Sequence, residues 1–227
     1  MEKEELLKES DLKKDIVYRR IKQLIVSCYF PMGSKLSETI IEKKLHANKA
    51  PIRDALKRLQ AEGLVERRPK SGTYVFSLSN QDLIDLLNFR FVIESQATIL
   101  SFDKHPQKLV EELNSVLDMM KRDLNTNNIR DYLDQDSNFH QTLVSLCDNR
   151  YFIESYKLVS AIMDTARNFL GNNVAHLHRS VIQHEEILNA VKALDIGKVV
   201  ELLREHILPD YGAYWKGSNL NGIITRK

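Results

Sequence analysis

The sequence predicts a mainly α-helical protein of two modules. A front module of three helices plus a β-hairpin takes residues 10–78. An all-helical bundle of about six helices takes 79–215, and 216–227 read as a tail. Three observations lead there. Apolar residues recur at helical spacing through most of the chain. Strand-like runs are confined to one stretch, "LVERRPKSGTYVF". From about Asp82 to Tyr211 prolines and glycines are few, so long helices run with few breaks.

Charge follows the same division. Residues 1–79 hold 17 Lys and Arg against 11 Asp and Glu, a balance of +6; residues 80–227 hold 16 against 20, a balance of −4. A basic front suits a polyanionic partner, although scattered surface charge explains the imbalance equally. No run of eighteen apolar residues is present, so no membrane span is expected. "MEKEELLKESDLKKD" lacks the apolar stretch of a secretory signal. The cysteines, Cys28 and Cys147, fall in different modules and fit a reducing cytoplasm rather than a disulfide framework.

The elements follow in order. Ile16, Val17, Ile21, Leu24, Ile25 and Cys28 mark a first amphipathic helix, which "YFPMGSKLS" ends at Pro31 and Gly33. Ile40, Ile41 and Leu45 mark a short second helix with Ser37 as N-cap. "HANK" connects it to a third helix with apolar face Ile52, Ala55, Leu56 and Leu59, ending near Gly63. Pro51 stands in its first turn, where a helix can spare an N–H, and Asn48 is placed to cap it through the side-chain oxygen. Two short strands joined by "PKSG" complete a winged helix-turn-helix. "SLSN" reads as the linker. Six helices are then expected at 82–100, 107–125, 128–147, 151–170, 178–193 and 197–207.

Opposite the apolar face of the third helix lie Lys49, Arg53, Lys57 and Gln60. An α-helix fits the major groove, and residues near its N-terminus reach base edges. Arg53 is the best placed to grip guanine with two bonds. The hairpin residues Arg67, Arg68, Lys70 and Gly72 would lie against the backbone or minor groove. A merely solvated basic helix is the competing reading for any one of these residues.

In the rear module Asp136 and His140 stand four apart and share one helical face. "ALDIG" breaks the chain between His184 and His206, which places them on antiparallel neighbouring helices. Three imidazoles and a carboxylate suit a divalent ion, zinc or nickel foremost. Packed, hydrogen-bonded core histidines are the alternative. His176 and His178 read as loop or surface.

The stretch "PMGSKLSE…LHANKAPIRDALKRLQAEGLVERRPKSGTYV" resembles the winged helix-turn-helix of GntR-type bacterial transcription regulators. Leu36, Glu38, Leu45, Pro51, Ile52, Arg53, Asp54, Ala55, Leu56, Arg58, Leu59, Glu62, Gly63, Leu64, Val65 and Gly72 match the pattern. Met32 splits its Pro-Gly pair, His46 and Ala47 replace its Gly-Val turn, and Lys49 stands where an arginine is usual. Lysine lacks the planar fork, so base reading there is weaker or different. The resemblance implies DNA contact from Glu38, Thr39, Asn48, Lys49, Ala50, Arg53, Lys57, Lys70 and Gly72.

"DLIDLLNFRFVIESQA", "DSNFHQTLVSLCDNRYF" and "HEEILNAVKALDIGKVVELLREHI" resemble the FCD effector-binding domain of the FadR branch. That resemblance implies Asp136, His140, His184 and His206 as metal ligands and Arg90 as the group that meets an effector carboxylate. A salt bridge from Arg90 to Glu94, one turn on, is the structural alternative. The whole then implies a cytoplasmic homodimer on a palindromic operator, controlled by a small carboxylate. A metal-dependent hydrolase or lyase using the Asp/His cluster and a regulator with a metal-free pocket are the rivals.

Overall fold

The computed structural model describes residues 2–170 and 174–208; the expected tail at 216–227 lies outside them. Two compact units emerge. One is built from the described residues up to Ser77 with Asp164–Phe169, the other from Leu78–Met163 and the described residues from Leu170 on.

The first unit contains α1 (Glu2–Val26), β1 (Lys35–Leu36), α2 (Glu38–Leu45), α3 (Lys49–Ala61), β2 (Val65–Arg68) and β3 (Gly72–Val75). Its core gathers Ile21 and Ile25 of α1, Ile41 of α2, Ile52 and Leu59 of α3, and Leu64 and Val75 around the hairpin, all buried. Burying side chains of this size contributes about 1.5–3 kcal/mol each, which holds the three helices together. Arg58 and Glu62 of α3 tie back to α1: Arg58 pairs with Asp15 at 2.5 Å, and Glu62 accepts bonds from Tyr18 and Lys22 at 2.6 and 2.8 Å. These two residues of the family pattern therefore serve the fold.

The structure departs from the expectations in four places. A third strand, β1, joins the hairpin, and the antiparallel sheet runs β1-β3-β2. Two residues are too few to show an alternation, so the sequence hid it. α1 ends at Val26, and Cys28 sits beyond it in a left-handed conformation at φ 56. Ser37 and Asn48 occupy the N-cap positions, yet neither side chain makes a cap bond. For Asn48 the proline removes one of the two targets: a cap side chain reaches for the N–H of the second or third helical residue, and the third is Pro51, which has none. For Ser37 the backbone carbonyl alone receives Ile40 and Ile41 N–H, both at 3.0 Å.

His46 ends α2 in the left-handed region, φ 50 and ψ 42. This turn would suit glycine, and an L-residue there costs about 1–2 kcal/mol, partly offset by glycine's greater freedom when unfolded. The His46→Gly variant is expected to gain about 0.5–1 kcal/mol, read from urea denaturation of the full chain.

The second unit contains α4 (Asn80–Lys104), α5 (Pro106–Asn125), α6 (Ile129–Ser145), α7 (Arg150–Leu170) apart from its stretch Asp164–Phe169, α8 (Val174–Lys192) and α9 (Ile196–Ile207). All six expected helices are present, most starting a little earlier than the sequence suggested. α4 starts at Asn80 because Ser79 and Asp82 form a capping box. α4 packs on α6 and α9, and α8 on α5 and α9. Ile93, Ala97, Val144, Cys147 and Tyr156 join α4, α6 and the first half of α7. None of the described helices is long and apolar enough to cross a membrane.

Candidate DNA-reading face and candidate metal centre

On α3 the periodicity resolves as expected. Ile52, Ala55, Leu56 and Leu59 are buried, while Lys49, Ala50, Arg53, Lys57 and Gln60 are exposed, with Asn48 exposed just before them. Arg53 is steadied from α2: its Nε donates to both carboxylate oxygens of Glu38, at 3.2 and 3.0 Å. Nε is the inner nitrogen of the guanidinium, so this grip leaves the outer Nη pair outside it. An arginine's Nη pair can make a two-bond contact to guanine. Thr39 is exposed one residue on from Glu38. Lys57 lies 3.9 Å from Asp54, a loose exposed pair.

The wing is built around Tyr74. Arg68 lies over its ring at 4.3 Å, Lys35 of β1 reaches over it at 5.9 Å, and Ser71 Oγ meets its hydroxyl at 2.7 Å. Lys70 is exposed at the turn with φ 59. Gly72 has φ 119, and a Cβ there would stand 3.0 Å from Lys35 Cε, so glycine lets the lysine chain cross the wing. Lys35 escaped the sequence reading because β1 did.

In the second unit the three separated histidines meet. His140 comes from α6, His184 from α8 and His206 from α9, and all are buried. Nε2 of His140 lies 3.1 Å from Nε2 of His184 and 3.1 Å from Nε2 of His206. One ligand atom from each lies within 4.8 Å of the others. Asp136, also buried, approaches His184 Nε2 to 3.8 Å. The expected constellation is thus assembled, with the carboxylate at its edge.

Each ring turns its other nitrogen outward to an oxygen. His140 Nδ1 meets Glu94 Oε2 at 2.9 Å, and His206 Nδ1 meets Gln183 Oε1 at 3.0 Å. His184 Nδ1 lies 3.4 Å from Ser180 Oγ, which donates to Asp136 Oδ1 at 3.2 Å. Phe139 walls one side, its ring 4.3 Å from that of His184. Arg90 is buried and its Nε donates to Glu94 Oε1 at 2.6 Å. The pair expected as an alternative to a pocket role is therefore formed, and it sits against the histidines.

Burial and charge act together here. Burial would raise the Glu94 carboxyl, but Arg90 and His140 outweigh it and bring it down to about 2. Burial, then the Arg90 charge, holds His140 below its ordinary value. Burial, then His184, His140 and Arg90, pushes His206 well below. These rings stay neutral near pH 7, the state a metal ligand needs. The partners Glu94, Gln183 and Ser180 were not singled out by sequence as support for the histidines. Ser180 stands one helical turn before His184, a detectable spacing, whereas nothing local marks Gln183.

His176 and His178 both lie on α8; His178 is exposed, as the surface reading expects, and His176 is half-buried.

A winged helix-turn-helix joined to a helical bundle that gathers histidines defines a DNA-binding transcription regulator. Residues 13–75 match the bacterial regulatory proteins of the gntR family and residues 85–208 match the FCD domain, so the chain belongs to the FCD-carrying GntR-type regulators. Among curated relatives, it is 24% identical over 191 residues to the HTH-type transcriptional repressor RspR of Escherichia coli, covering 84% of each chain. It is 24% identical over 193 residues to the gluconate operon transcriptional repressor of Bacillus subtilis, covering 82% of this chain and 78% of that one. A GntR regulator structure from Rhodococcus sp. RHA1 shares the fold, with TM-score 0.75 at 19% identity over 86% of this chain and 93% of that one. These relatives are regulators, and the hydrolase or lyase reading is set aside.

Proposed function

We propose that the protein is a cytoplasmic bacterial repressor, a homodimer on a palindromic operator, whose DNA affinity is set by a small carboxylate bound beside a divalent metal. The single observation that carries the metal reading is the inward convergence of three Nε2 atoms. His140 Nδ1 faces the Glu94 carboxylate, so His140 Nε2 presents a lone pair to the other two rings. Three Nε2 atoms gathered this closely, two of the separations being 3.1 Å, are placed to share one cation. His140, His184 and His206 would hold the ion with Asp136 as fourth ligand, zinc or nickel being favoured by imidazole donors. The ion would supply a positive charge that, with Arg90, draws a carboxylate effector. Effector binding shifts the balance between DNA-competent and incompetent arrangements of the dimer.

Metal analysis of protein purified without a polyhistidine tag tests this reading. About one zinc or nickel per chain is expected, and a chain that never takes up stoichiometric metal would sink it. On the DNA side, Arg53 and Lys49 read bases, Glu38 positions Arg53, and Thr39, Asn48, Ala50, Lys57, Lys70 and Gly72 approach the backbone. The named repressors among the relatives support the repressor reading. Arg53→Ala should weaken operator binding by about 1–3 kcal/mol, measured by fluorescence anisotropy at fixed salt. An unchanged affinity would remove Arg53 from the reading residues.

A further inference from the structure

We propose that Glu94 is a positioning residue that fixes the tautomer of His140 and so makes its Nε2 a ligand; this rests on the metal reading above. Three outward partners hold the three rings, and they differ in kind. Gln183 carries an amide, which can accept through oxygen or donate through nitrogen. Ser180 carries a hydroxyl, which can do either. Glu94, when ionised, can only accept. It is fully buried, with one oxygen 2.6 Å from Arg90 Nε and the other 2.9 Å from His140 Nδ1. The guanidinium is always charged and keeps the carboxylate ionised. His140 Nδ1 must therefore carry the proton, and Nε2 must be the lone pair.

His140 is also the ring at the centre of the group: its Nε2 stands 3.1 Å from both other Nε2 atoms. Locking this ring orients the donor that the other two face. An anionic hydrogen-bond acceptor also makes the imidazole a stronger base, and partners of this kind typically change metal affinity 10–100-fold. Arg90 and Glu94 stand one helical turn apart on α4, so a single helix brings both the cation that ionises the carboxylate and the carboxylate that sets the ring.

The test has two arms. In metal-free wild-type protein, long-range 1H–15N NMR of the imidazoles should show His140 protonated at Nδ1. In Glu94→Gln the amide can turn either way, and a mixed or Nε2–H signal is expected. Zinc affinity of the same proteins, measured by competition with a chromophoric chelator, should fall at least tenfold in Glu94→Gln. The apolar variant Arg90→Met/Glu94→Met serves where Glu94→Gln folds poorly, and it should lose affinity similarly. His140 found protonated at Nε2 in the wild type, or zinc affinity within twofold of wild type in a folded variant, would overturn the assignment. A wild type that binds no zinc would defeat the metal reading instead, while the tautomer in metal-free protein would still decide the role of Glu94.

Discussion

The Glu94→Leu substitution is expected to destabilise the metal-free protein by about 3–5 kcal/mol. Glu94 is 0% exposed and Arg90 3% exposed, so the pair is out of water. Coulomb attraction and two short bonds offset the desolvation of both charges while the pair is intact. Removing the carboxylate takes from the buried guanidinium the counter-charge that Glu94 supplies and from His140 Nδ1 the oxygen it faces. Leucine returns some apolar packing but neither of those. The loss is a large share of the 5–15 kcal/mol that typically holds a domain folded. Replacing both charges, as in Arg90→Met/Glu94→Met, should recover most of the stability, because similar-sized apolar side chains remove both desolvation costs together. Urea denaturation of the three proteins at pH 7.5 checks this. A loss under 1 kcal/mol in the single variant would show that Arg90 finds water or another carboxylate, and would make the pair an incidental one.

Much of this was legible beforehand, for physical reasons. α3 could be read because its apolar period and its basic face are both carried within thirteen residues, Lys49–Ala61. The four candidate ligands were legible because a spacing of four fixes Asp136 and His140 on one face, and the break at Leu194 and Asp195 lets α9 pack on α8. β1 was invisible because two residues carry no period, and with it went Lys35. The failed Asn48 cap was legible in part, since Pro51 removes one of the two N–H groups it would have reached. What sequence spacing does not encode is the ring of oxygens around the histidines. Gln183 belongs to α8 and His206 to α9, and their bond depends on how those helices pack. Glu94 was noticed only as a partner for Arg90. Its second bond crosses 46 residues to α6, a distance that no local pattern reports.

Acid should unfold the metal-free protein in two stages. The groups facing the centre are Arg90 and Glu94 on α4, Asp136 and His140 on α6, His184 on α8 and His206 on α9. Burial first holds both His140 and His206 neutral in the folded state, followed at His140 by Arg90 and at His206 by His184, His140 and Arg90. An unfolded histidine takes up a proton near pH 6.5. Below that pH the unfolded chain binds protons that the folded chain refuses, so stability falls as pH falls. Each such histidine contributes a slope of about 1.4 kcal/mol per pH unit, and the two together about 2.7. Glu94 adds the second stage. Its carboxyl lies near 2 when folded, against an ordinary value of 4.5, so its contribution is complete above that ordinary value and disappears as pH falls from there toward 2. Urea midpoints of metal-free protein at pH 7.5, 6.5 and 5.5 should therefore drop steeply only over the last step. His206→Gln should roughly halve that drop by removing one of the two histidines. Saturating zinc at pH 6.5 should raise the midpoint, because it binds only the folded arrangement of neutral rings. A midpoint that stays level from pH 7.5 to 5.5 would mean that the two rings reach solvent or share a proton when folded, and that burial does not hold them neutral.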